Sequence, residues 1–399
     1  MEHRLAVTKT APESIMRPVT VFSRQTPAGE RVLLRQLLVT PRADEFTTPL
    51  LGGWSAFGSG TMALAAALFF AADRHQPGKS VILPAYSCPD IVAAALCAGL
   101  EPAFADLAKE QTGMNLAALH SSRTPGSSVA VLVELFGTRH EIPAHGETAA
   151  ASRMTLVHDR AQSLAGPGVE VDSAADLVVV SRGRGKPATL LGGGATWARQ
   201  ADEFSAFANA RFPVSSWSAA STALRAALYN LATQPLAFGT VAQLPFLHIG
   251  ETRLRTLPAI TRLPRPWLVH AARQLQAQQS ACAARRARTL AMAELIPANR
   301  FRIPSDALQT AADEGLNRLP VLCSDAEQAE WLISRGAALG ISPMYGRTLP
   351  EFLGMSAADA ALAFPVAYRF SRTLVTLPTH ARCGPPTRQR IRELLRDAQ

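Results

Sequence analysis

Four lysines occur in the 399 residues, and Lys186 lies in the glycine-flanked run Ser181-Arg182-Gly183-Arg184-Gly185-Lys186 rather than on a charged helix face. A primary amine so placed can form a Schiff base with an aldehyde, and its reactivity benefits from a lowered pKa in an enclosed polar site. A P-loop phosphate contact is the other use of a lysine after glycines, but Pro187 stands where the Walker pattern needs Ser or Thr. Upstream, Val157-His158-Asp159-Arg160-Ala161-Gln162 sets a carboxylate at the end of an apolar run. Asp159 there can hold a pyridine nitrogen protonated, or it can cap the next helix. In Leu83-Pro84-Ala85-Tyr86-Ser87, Tyr86 offers a ring face to a planar heteroaromatic group, as a core tyrosine also would. Gly58-Ser59-Gly60-Thr61 opens a helical run over 62–74. Backbone N–H groups at such a helix start seat a phosphate, or the turn is an ordinary cap.

These residues need a scaffold that brings separate strand ends together. Between 57 and 198 short apolar runs alternate with helical stretches, which predicts an α/β fold with a mostly parallel central sheet flanked by helices. Strands are expected at 80–83, 102–105, 129–135, 155–157 and 177–180, each ending near a polar residue or glycine, where such sheets place ligands. Residues 222–249 are more apolar and are interrupted by Pro235 and Pro245; a helix pair, a dimer contact or a surface insertion would fit. A long helix is expected over 266–295, strands at 318–322 and 372–377, and a closing helix at 387–397. The predicted division is an N-terminal segment (1–45), a large domain (46–255) and a small α+β C-terminal domain (256–399).

A hydrophobic fraction of 48% with 18% charged residues is that of a globular chain able to bury a core. The net charge of +9 is almost all arginine, without basic runs interleaved with aromatics, so nucleic acid is not the expected partner and a small anion is. Five cysteines without close pairing indicate neither a disulfide framework nor a zinc site, and no metal is expected. The start lacks a signal-like apolar core, and the run 62–72 is too short to span a bilayer; the expected location is cytoplasmic.

Taken in order, Gly58-Ser59-Gly60-Thr61-Met62-Ala63-Leu64, Pro84-Ala85-Tyr86-Ser87, Asp159-Arg160-Ala161-Gln162-Ser163, and Ser181 with Lys186 resemble the DegT/StrS family of pyridoxal-phosphate (PLP) dependent sugar aminotransferases. The run ending Leu135-Phe136-Gly137 also looks like the family's, as do Phe364-Pro365-Val366-Ala367 and Leu377-Pro378-Thr379-His380. The resemblance is close over about 57–198 and loose over 340–395. It implies the fold type I architecture, with catalytic Lys186 and Asp159, the first carrying the cofactor as a Schiff base and the second on its pyridine nitrogen. It further implies that Tyr86 stacks on the ring, that Gln162 meets the ring hydroxyl, and that Ser181 with the backbone of Gly60 and Thr61 binds the phosphate. The implied reaction moves an amino group from an amino acid such as glutamate to a keto-sugar nucleotide or similar keto metabolite, in a homodimer. Other PLP chemistry, dehydratase or lyase, is the alternative, as is a PLP-binding regulatory protein without turnover. A lysine at 186 argues against the dehydratase branch, where the resemblance implies histidine. The family's Asn-containing segment that reaches the partner's phosphate has no counterpart in 207–220, and Arg160, Arg182 and Arg184 stand where smaller, aromatic or His residues are usual.

Overall fold

The computed structural model describes residues 26, 29–74, 80–116, 127–140, 154–171, 173–241 and 252–398. Seven strands form one sheet in the order β1-β7-β6-β5-β4-β2-β3: β1 (Trp54–Phe57), β2 (Ser80–Pro84), β3 (Glu101–Ala105), β4 (Ser127–Val133), β5 (Thr155–Asp159), β6 (Leu177–Ser181) and β7 (Gly194–Ala198). From β3 to β6 all neighbours are parallel, whereas β7 runs antiparallel to both β6 and β1. The five runs expected as strands are all strands, with ends shifted. No end moves by more than two residues; β4 stops at Val133, and a tight turn at Leu135–Gly137 follows. β1 and β7 escaped the sequence reading. Both are rich in small residues and Trp, with no run of aliphatics to mark them.

Consecutive aliphatic residues make β5 and β6 readable as buried parallel strands, and Val178, Val179 and Val180 are indeed covered on both faces. One cover is the helix Gly60–Arg74, whose alanines at 63, 65, 66 and 67 let it lie close against the sheet while Leu64 and Leu68 fill the gaps. On the other face, the helix Arg265–Gln279 buries Trp267, Leu268 and Val269 against Val178, Val180 and Leu190. That helix lies past residue 255 and nevertheless packs with the large sheet.

The long helix expected over 266–295 is two helices, Arg265–Gln279 and Cys282–Ala293. Their buried faces go to different cores, the first to the large sheet and the second, through Met292, to a separate cluster around Leu319, Val321, Val375 and Leu377. A straight rod cannot serve both, and the chain breaks at Ser280, whose hydroxyl donates to the Ala277 carbonyl. The second cluster surrounds the antiparallel pair β8 (Arg318–Leu322) and β9 (Leu374–Pro378). β9 starts two residues later than expected because the helix Pro365–Thr373 runs into it. Residues 219–241 form a helix pair, Ala219–Ala232 and Pro235–Val241, with Pro235 opening the second; 242–249 lie outside the described residues.

Candidate active site

The carboxyl ends of β4, β5 and β6 and the start of the helix Gly60–Arg74 converge on one cavity lined by Gly60, Thr61, Ser87, Cys88, Glu134, Asp159, Gln162, Ser181 and Lys186, among others. This is the edge at which a parallel sheet presents the residues following its strands. Asp159 is the last residue of β5 and Ser181 the last of β6, so the two sit on adjacent strands. Gly60 is packed so closely that a Cβ there would lie 2.5 Å from the Cβ of Ser181, which brings the helix N–H groups to the serine. Gly137 serves Gln162 similarly: its φ is +85°, and a Cβ would stand 2.8 Å from the Gln162 carbonyl.

Asp159 accepts the Ala161 N–H at 2.9 Å and has no helix after it, so it closes an Asx turn rather than capping a helix. Burial raises its pKa, opposed by the Ala161 N–H and the Lys186 charge. Lys186 sits in a loop gathered onto Arg182. The Arg182 carbonyl accepts from Leu190 N (2.9 Å), Gly192 N (3.1 Å) and the Thr189 hydroxyl (3.1 Å), and Ala188 and Leu191 are held at positive φ. The Arg182 guanidinium is fully buried and donates to the Ala165 carbonyl at 2.6 Å; burial lowers its pKa to about 10.

Of the residues expected from sequence, Gly60, Thr61, Asp159, Gln162, Ser181 and Lys186 line this cavity. Tyr86 does not: it is wholly buried behind it, 5.1 Å from the Phe370 ring and 5.6 Å from Tyr345, and the cavity wall from that segment is Ser87 and Cys88. Burial and the Asp90 charge push the Cys88 thiol up to about 12, so it faces the cavity protonated. Tyr345 also escaped the sequence reading; its hydroxyl accepts from Gln162 Nε2 at 3.2 Å, and no local pattern around it announces this.

Glu134 is the second residue missed. Its carboxylate lines the cavity at 2% exposure, 3.1 Å from His158 Nε2 through one oxygen and 3.1 Å from Arg160 Nε through the other. Burial pushes its pKa up, but the contact with His158 and the charges of Arg160 and His158 prevail and hold it at about 2. Position alone signalled it: Glu134 follows β4 directly, beside β5, just before the turn Leu135-Phe136-Gly137.

Two carboxylates, an amine, an amide, hydroxyls and a glycine-opened helix start suit a group with a phosphate, an aldehyde and a basic ring nitrogen. A family model matches residues 55–201, the stretch that runs from within β1 past β7 and holds the residues lining the cavity. Over that stretch the chain matches the DegT/DnrJ/EryC1/StrS aminotransferase family. The matched stretch ends three residues past β7, at the start of the helix Ala201–Arg211. No curated protein matches the chain in sequence. Among solved structures it is similar to a sugar aminotransferase, Spr1654 of Streptococcus pneumoniae, with 17% identity over 94% of this chain and 97% of that one and a TM-score of 0.64. Helicobacter pylori PseC, an aminotransferase of pseudoaminic acid biosynthesis, gives 16% identity, 94% and 98% coverage and a TM-score of 0.63. DesI, solved with its TDP-sugar product, gives 18% identity, 94% and 93% coverage and a TM-score of 0.65. At these identities the likeness is one of fold, the fold type I of PLP-dependent aminotransferases. The Streptococcus pneumoniae protein was solved in both PLP and PMP forms.

Proposed function

We propose that the protein transfers an amino group from an amino-acid donor, glutamate in the simplest case, to a keto-sugar nucleotide or a related keto metabolite. The observation that carries this reading is the meeting of Lys186, Asp159, Gln162, Ser181 and the Gly60–Thr61 helix start in one cavity. When bound, PLP supplies an electron sink for negative charge on the substrate carbon. The Lys186 amine would hold the cofactor's aldehyde carbon and, once displaced by the donor, carry the proton on its Nζ between substrate and cofactor carbons. Asp159 would keep the ring nitrogen protonated. Its buried carboxylate accepts a backbone N–H and has no ion pair among the described residues, and an incoming positive ring would satisfy it. Ser181 and the N–H groups of Gly60 and Thr61 would bind the phosphate, and Gln162, steadied by Tyr345, would orient the ring hydroxyl. Lysine at 186 favours transamination over the histidine-bearing dehydratase branch.

The test is borohydride reduction of the PLP-loaded protein followed by peptide mapping. The adduct is expected on Lys186; an adduct on Lys109 or Lys79 sinks the assignment. Bleaching of the cofactor absorbance by an amino donor separates turnover from passive binding. Among the described residues no helix is long and apolar enough to cross a membrane, and a cytoplasmic homodimer belongs to the same proposal.

A further inference from the structure

Outside the cavity lining, Arg285, Arg288, Arg318 and Arg382 all bear electrostatically on His380, which follows β9. Among the described residues, Glu30 is the carboxylate that pairs here, 3.6 Å from Arg285 and 3.5 Å from Arg288. Arg318 sends its donors to Thr376 and the Gly340 carbonyl. Arg382 is anchored through Nη1 on the Thr233 carbonyl at 3.0 Å, which leaves Nε and Nη2 buried and without a partner among the described residues. Those two atoms form the lateral fork of the guanidinium, with parallel N–H bonds spaced to meet two oxygens of one group. His380 is 4% exposed, and neither of its ring nitrogens has a hydrogen-bond partner among the described residues.

A neutral imidazole can sit in a core, but one left unbonded at both nitrogens beside a cationic fork that is also unbonded lacks an acceptor on both sides. We propose that Arg382 and His380 form a binding site for a small oxyanion, a carboxylate or a phosphoryl group. The fork takes two oxygens, the imidazole N–H takes a third contact, and the remaining arginines offset the charge. None of these residues lines the cavity, so the site is separate from the cofactor's phosphate seat. It nevertheless adjoins the Lys186 loop: Asn317 donates to the Gly185 carbonyl, and Gly29, next to Glu30, packs on Gly185 so closely that a Cβ would lie 2.8 Å from its Cα.

Calorimetric titration of PLP-loaded, borohydride-reduced protein with inorganic phosphate, and separately with glutarate, tests this, since the cofactor then fills its own phosphate seat. One saturable site per chain is expected, weakened about tenfold or more in Arg382→Gln and unchanged in Ser181→Ala. Tighter phosphate marks a phosphoryl ligand and tighter glutarate a carboxylate, and either supports the site. Should Arg382→Gln fail to fold, His380→Leu decides by the same loss of affinity at an unchanged melting temperature. No saturable binding of either anion, or binding lost in Ser181→Ala but kept in the other two variants, overturns the proposal.

Discussion

Two carboxylates on adjacent strand ends differ because their surroundings do. Asp159 faces the cavity with one N–H and a raised pKa; Glu134 is held between His158 and Arg160 at about 2. Environments that push two acids apart assign them separate roles. Asp159→Asn is therefore expected to keep the cofactor yet slow a single turnover, with saturating amino donor, about a hundredfold or more; a near-normal rate makes Asp159 a turn residue and nothing more. Glu134 acts on stability instead. Its folded pKa lies below the ordinary 4.5, so its contribution is fully present above that value and is lost as pH falls toward about 2. Asp159, with its raised pKa, works in the opposite direction. Glu134→Gln should lower the melting temperature near neutrality and flatten its fall between those two pH values, as followed by circular dichroism. An unchanged acid limb would show that the pair with His158 and Arg160 contributes nothing.

The helix Pro365–Thr373 shows how elements from the two ends of the chain are fastened together. It begins Phe364-Pro365 with no capping side chain of its own. Asp106, just past β3, supplies the cap: its carboxylate accepts the Val366 N–H at 3.0 Å and the Ala367 N–H at 2.7 Å. The same helix buries Phe370 against Tyr86, so the cap holds the wall behind the cavity. Asp106→Ala is expected to cost about 1 kcal/mol, up to about 2, read as a shifted urea midpoint at unchanged slope; no shift would mean that packing alone seats the helix.

Across the whole molecule, the helix Ala219–Ala232 leaves Leu224, Leu228 and Leu231 at 65%, 59% and 66% exposure, spaced four and three apart on one face, and Leu236 on the following helix at 55%. Large apolar side chains grouped in this way are usually covered by a partner, and twofold pairing is the commonest means. We expect a homodimer through this face. Light scattering at micromolar concentration should give twice the chain mass, falling to the monomer in Leu224→Glu/Leu228→Glu; a stable PLP-loaded monomer of the unaltered protein rules it out.

The parallel core was legible because β2, β4 and β6 carry unbroken apolar runs and β5 a shorter one, as strands buried on both faces do. Part of the cavity was legible for a related reason, since residues that follow such strands arrive at one edge, as Asp159 and Lys186 do; Gln162 and Ser181 were assigned through the family resemblance. Composition also marked Lys186, one of four lysines in the chain. Local pattern did not reveal β1 and β7, which pair with each other across more than a hundred residues, nor the break at Ser280, which arises because two cores pull one helical sequence in different directions. Tyr86 was read as a cavity ring, and the fold turned it inward onto Phe370, because side-chain direction at a strand end is set by what packs there. Glu134, Tyr345 and the His380 cluster are long-range assemblies of buried polar groups. Sequence supplies the members of such assemblies, and only tertiary packing decides which charges meet and which buried nitrogens are left without partners.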